Sequence, residues 1–82
     1  MRIRNVIEAR FKAALVEAGK PTSETFKDDL VLLQSGLDSL GFAILVTRLE
    51  QELGYDPFTL MEQAFYPTTF GEFVALYEQF AP

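Results

Sequence analysis

Leu32-Leu33-Gln34-Ser35-Gly36-Leu37-Asp38-Ser39-Leu40 leads into Gly41-Phe42-Ala43-Ile44-Leu45-Val46-Thr47-Arg48-Leu49-Glu50-Gln51-Glu52-Leu53-Gly54, and the fold turns on this stretch. Gln34-Ser35-Gly36 is a turn signal. Asp38 offers a carboxylate to the orphan N–H groups of a first helical turn, and Gly54 supplies a stop, so a helix is expected from Ser39 to about Leu53. Phe42, Leu45, Val46, Leu49 and Leu53 follow the spacing of a core face, which leaves Leu40, Ile44, Thr47, Arg48 and Gln51 on the outer side. Leu40 and Ile44 are apolar there, which a surface helix does not require. A shift of one residue in helical phase would instead turn Ile44 inward, and the spacing leaves both placements open.

Toward the N-terminus, Ile3, Ile7, Phe11, Leu15 and Ala18 recur near the 3.6-residue period, with Arg4, Glu8, Lys12 and Glu17 off the stripe. That helix is expected to stop at Gly19-Lys20-Pro21, because proline cannot continue the hydrogen-bond ladder. Residues 20–38 then form a long crossover, partly helical and packed by Phe26, Leu30 and Leu33. Toward the C-terminus, a short helix is expected from about Thr59 to Ala64, between Pro57 and Pro67. Thr69-Phe70-Gly71-Glu72 fits a capping box, in which threonine and glutamate satisfy each other's backbone N–H groups. It heads a last helix to about residue 80, with Phe70, Phe73, Val74, Tyr77 and Phe80 on its apolar side. The expectation is an all-α, small four-helix bundle: three main helices, one short helix and a long crossover after the first, with residues 1–82 as a single domain.

Composition removes several function classes. The chain has 82 residues, 49% apolar and 23% charged, and contains no Cys and no His. It therefore has no disulfide framework, no thiolate nucleophile, no imidazole base and none of the usual zinc ligand sets, so neither triad chemistry nor an independent enzyme is expected. The longest apolar runs, Leu30 to Leu33 and Phe42 to Val46, are far short of a membrane span, and no signal-peptide hydrophobic region follows Met1. A cytoplasmic location without membrane insertion is expected. Of the seven basic groups, five lie in residues 1–20, whereas residues 21–82 hold ten of the twelve acids. A face beyond residue 20 would repel nucleic-acid phosphates, which argues against a helix-turn-helix DNA binder and favours protein partners.

Gly36-Leu37-Asp38-Ser39-Leu40 sits mid-chain, after an amphipathic helix and a long crossover and ahead of a helix, a short helix and a capping-box helix. In this it resembles the acyl and peptidyl carrier protein family, over essentially the whole chain and most specifically over residues 32–54. The resemblance implies that Ser39 bears a covalent 4′-phosphopantetheine arm derived from coenzyme A, with Asp38 and Leu40 beside it. It further implies a phosphopantetheinyl transferase, an acyl- or aminoacyl-loading ligase and downstream synthase enzymes as partners of a monomeric carrier. Asp38 is most simply an N-cap, and the resemblance adds contact with a basic group on the transferase. Leu40 could pack in the core, but the resemblance makes it an exposed contact for partners, alongside Ile44 and Arg48. Without an internal base, Ser39 cannot modify itself, and a reactive thiol would belong to the arm.

The helix after Ser39 departs from fatty-acid-type carriers, in which the family pattern places many acids. Here the first acid after Ser39 is Glu50. Weak charge steering at this end fits a dedicated, hydrophobic partner and a specialised acyl, aminoacyl or polyketide pathway better than bulk fatty acid synthesis. Glu50, Glu52, Asp56 and Glu62 could form a more distant acidic patch, although solvated charge is the simpler reading. The aromatic residues after position 54 are expected mostly in the core, and they either leave a crevice between the second and third helices or fill it. A helical protein-interaction module with the same fold and no arm is the alternative function.

Overall fold

The computed structural model describes residues 2–20, 26–63 and 65–82. Those residues form four α-helices, α1 (Ile3–Glu17), α2 (Ser39–Leu53), α3 (Pro57–Leu60) and α4 (Phe70–Gln79), with one 3-10 turn at Leu32–Gln34. Three main helices and a short one make the all-α bundle expected from the sequence. Val31 and Thr69 form an isolated antiparallel bridge, and no strand is present among the described residues.

Helix α1 buries Val6, Ile7, Phe11, Ala14 and Leu15, α2 buries Leu45 and Leu49, and α4 buries Phe70, Phe73, Val74, Leu76 and Tyr77. Ile3, Phe42, Val46 and Leu53 pack half-buried against that core. Full burial of a leucine or phenylalanine side chain contributes about 1.5–3 kcal/mol, so these three stripes hold the bundle together. The ion pairs Arg48–Glu17, at 2.6 Å, and Arg10–Glu52 join α1 to α2 and fix the two helices antiparallel, since position rises along one as it falls along the other. The Glu52 carboxylate also holds the Arg10 guanidinium above its ordinary pKa, chiefly through their hydrogen bond.

The termini of α2 lie where capping chemistry put them. Asp38 is the N-cap, and Gly54 ends the helix in the left-handed region at φ +86°, which glycine enters without steric cost. The capping box of α4 is also present, with the Glu72 N–H donating to Thr69 Oγ1 and the Thr69 N–H donating to Glu72 Oε1, each at 3.2 Å.

Three expectations are corrected. Helix α3 spans Pro57–Leu60 rather than Thr59 to Ala64: Asp56 caps the Phe58 N–H at 2.9 Å and Pro57 takes the first helical position, where its missing N–H costs nothing. Ala64 lies outside the described residues. Helix α1 ends at Glu17, so Ala18 leaves the apolar stripe as an exposed C-cap. In the crossover, Phe26 is buried and Leu30 half-buried as expected, but Leu33 is 75% exposed, and Leu32, 5% exposed, packs instead. The Leu32 N–H donates to the Thr68 carbonyl at 2.9 Å, and the 3-10 turn swings Leu33 about 120° round to solvent. The aromatic residues after position 54 lie mostly in or against the core, as expected, with Phe65 and Tyr66 the exposed ones.

The crossover is stitched to the start of α4. Besides the Leu32–Thr68 bond, the Phe70 N–H donates to the Leu30 carbonyl at 2.8 Å and the Gly71 N–H to the Asp28 carbonyl at 3.0 Å. Arg4 of α1 reaches the same place, donating to Asp28 Oδ1 at 2.7 Å and to the Phe26 carbonyl at 2.9 Å while lying 5.2 Å from the Phe70 ring centroid. Residues 21–25 are outside the described segments.

Candidate functional site at the start of α2

Ser39 is the first residue of α2 and is exposed. The neighbouring carboxylate is committed to the helix: Asp38 Oδ1 accepts the Gly41 N–H at 2.8 Å, and the Asp38 carbonyl accepts the Phe42 N–H at 3.0 Å. Gly41 permits that approach, because a Cβ there would sit 3.3 Å from Asp38 Oδ1 and 3.1 Å from Leu37 Cδ2. Leu37 is buried, and Gly36 before it takes φ +115°. The N–H groups of Ser39 and Leu40 belong to the first turn and have no partner within the helix, so Ser39 sits at the positive end of the helix dipole. Among the described residues no hydrogen bond engages that hydroxyl.

Leu40 is 69% exposed and Ile44 42%, which settles the helical phase: both lie on the outer face of α2. Arg48 forms a surface ion pair with Glu17 at 2.6 Å and lies on the same outer face of α2 as Ile44. Of the four distal acids, Glu52 is engaged by Arg10 and Asp56 caps α3, which leaves Glu50 and Glu62 as exposed charges.

Beside Ser39 opens a cleft of about 780 Å³. One flank is α2, through Ser39, Phe42, Ala43 and Val46; the other is the pair of stitched segments, Val31–Leu33 and Tyr66–Thr68. Phe58 and Phe73 also line it, their ring centroids 6.3 Å apart, and Phe42 meets Phe73 edge-on at 6.3 Å. The aromatic residues therefore line the crevice without filling it. Sequence reasoning missed Leu33, Tyr66 and Thr68 as cleft residues. The available signal was Pro67-Thr68 directly ahead of the capping box, which brings that segment alongside the crossover.

At the far end of α2, the Tyr55 hydroxyl donates to the Tyr77 carbonyl at 2.5 Å. The buried Tyr77 hydroxyl has no partner among the described residues. Burial first, then the Asp56, Tyr55 and Glu50 charges, push the Tyr77 phenol well above its ordinary pKa.

Among the described residues no helix is long and apolar enough to cross a membrane, and no cluster of acidic side chains could hold a metal ion. Comparison of the chain with protein-family models, with curated proteins and with solved structures finds no match in any of the three.

Proposed function

We propose that the protein is a carrier, working as a monomer in the cytoplasm, whose Ser39 hydroxyl bears a 4′-phosphopantetheine arm. The observation that carries this reading is the exposed, unengaged hydroxyl at the N-terminus of a long helix, with an apolar cleft opening beside it. A phosphodiester on Ser39 suits this position, because unpaired first-turn N–H groups and the helix dipole favour negative charge. The same residues give the hydroxyl no general base, so its activation falls to a phosphopantetheinyl transferase. In the attachment step Ser39 Oγ attacks the pyrophosphate of coenzyme A at the phosphorus bearing the pantetheine. A new O–P bond forms, adenosine 3′,5′-bisphosphate leaves, and the hydroxyl proton passes to a base of the transferase. The attached arm supplies a terminal thiol able to hold acyl, aminoacyl or polyketide groups as thioesters, delivered by a loading ligase and passed to synthase enzymes.

The chain's own contribution is placement. Asp38 fixes the helix start, so that Ser39 projects from a rigid element, and its second carboxylate oxygen can meet a basic group on the transferase. Leu40 and Ile44 offer visiting enzymes an apolar footing beside the arm, with no acid on α2 before Glu50. Association through that face depends little on salt. A covalent tether makes each later encounter partly intramolecular, which raises effective concentration without new contacts. This economy fits a specialised biosynthetic pathway served by dedicated enzymes.

The reading is tested with a fluorescent coenzyme A conjugate and a broad-specificity phosphopantetheinyl transferase. The wild type and Ser35→Ala become labelled and Ser39→Ala does not. An unlabelled wild type would leave the armless interaction module as the better account, in which Leu40 and Ile44 bind a partner regardless of Ser39.

A further inference from the structure

We infer that the outer face of α4 binds a basic, amphipathic helix of another protein, at a groove separate from the cleft beside Ser39. Of the side chains that α4 buries, Leu76 alone stands outside the main core. It lies instead in a groove of about 480 Å³ whose apolar lining is completed by Leu60, Met61, Phe65 and Phe80. Leu60 is 52% exposed and Phe65 45%, so both present carbon to water. A smaller depression continues past Phe65 and Leu76 to Ala75 and Glu72. None of these residues lines the cleft beside Ser39, and the two sites share no wall.

Charge selects the occupant. Glu62 lines the groove and Glu72 its continuation, and among the described lining residues none is basic. The surrounding sequence is equally one-sided, since residues 49–82 hold six acids and no lysine or arginine. An anionic membrane or a nucleic acid would be repelled, and a second copy seated on this face would bring the same acids together. A protein segment carrying lysine or arginine beside apolar side chains matches both the carbon surface and the charge. Its form follows from the backbone of α4, which is bonded within the helix and so offers a row of side chains and no strand edge. From Glu72 to Phe80 that row is about 12 Å long, which two turns of a partner helix cover with apolar residues at i, i+3, i+4 and i+7.

Three labelled peptides of about eighteen residues, long enough to form a helix, test this against the full chain. One combines leucine and lysine with the leucines on a single face, one keeps that pattern with glutamate for lysine, and one scrambles the leucine–lysine order. Fluorescence anisotropy is expected to show saturable binding of the first, at least about tenfold tighter than of either other. Leu60→Ser/Phe65→Ser should weaken it at least about tenfold, and Val16→Ser, at an exposed apolar position on α1, should not. Amide shifts of the wild type on adding the peptide should concentrate at Phe65, Leu76, Gln79 and Phe80, a readout that stands even if the double variant fails to fold. Absence of saturable binding, equal binding of the scrambled peptide, or shifts centred on Leu40 and Ile44 overturns the inference, as does self-association through the same amides without peptide. The unmodified chain is used throughout, so the outcome is independent of attachment at Ser39.

Discussion

Replacing Gly71 by alanine separates helix propensity from tertiary fit. Gly71 is the second residue of α4, so alanine there gains at most the roughly 1 kcal/mol that propensity gives in a helix interior. Here the new Cβ would lie 2.9 Å from Asp28 Cβ, closer than Cβ atoms come, and 3.1 Å from the Asp28 carbonyl oxygen, tighter than ordinary van der Waals contact. The obstacle is the root of a side chain and its backbone, so no rotamer change removes it. Asp28 is also held from two sides, by the Arg4 guanidinium at 2.7 Å and by the Gly71 N–H at 3.0 Å. Relief requires the crossover to move off α4, which weakens both bonds. Overpacking of this kind costs about 1–3 kcal/mol, to which a lost hydrogen bond adds about 1 kcal/mol. Set against the propensity gain, Gly71→Ala is expected to destabilise the protein by roughly 1–3 kcal/mol, lowering the melting temperature by roughly 5–20 °C for a domain of this size. Thermal melting followed by far-ultraviolet circular dichroism reads the effect. An unchanged or raised melting temperature would refute the reasoning, because propensity would then have outweighed the contact with Asp28.

Three further outcomes follow from single groups. Tyr77→Phe removes a buried hydroxyl without a partner and keeps the ring against Phe73, at 5.2 Å between centroids, so urea unfolding at neutral pH should show about 1 kcal/mol of added stability; a loss would mean the hydroxyl is satisfied after all. The same phenol has a folded-state pKa raised by burial, so the unfolded chain ionises first, and stability that is complete below about pH 10 should fall as pH rises above it; in Tyr77→Phe this alkaline loss should be smaller, as a pH series of melts would record. Asp38→Ala deletes the cap of α2 and should cost about 1 kcal/mol in urea unfolding, with faster hydrogen exchange at the Gly41 amide as the local signature; unaltered exchange there would argue against the cap.

The sequence carried those features whose determinants are local. Asp38, Gly54 and the Thr69–Glu72 box declare helix ends within four residues of themselves, and α2 and the start of α4 lie where they indicate. Helix α3 was misplaced by its own punctuation: Asp56-Pro57 reads as a break, yet the same pair is an N-cap followed by a proline at the first helical position. Leu33 and Leu32 exchange roles because the inward side of the crossover is set by a bond to Thr68, thirty-six residues away, which no local period encodes. The Arg48–Glu17 ion pair was not legible, because Glu17 lies thirty-one residues away, on the opposing helix. Ser39 was legible as a helix-start hydroxyl, and its exposure needed the whole bundle. The cleft was least visible, being assembled from α2, the crossover, α3 and the segment ahead of α4.

The central claim concerns one hydroxyl, and peptide-level mass spectrometry addresses it most directly. After incubation with coenzyme A, Mg²⁺ and a broad-specificity phosphopantetheinyl transferase, the proteolysed protein should yield one peptide heavier by a single phosphopantetheinyl group, with fragment ions assigning it to Ser39. A chain that remains unmodified, or an adduct that fragments to Ser35 or to any other hydroxyl, would contradict it.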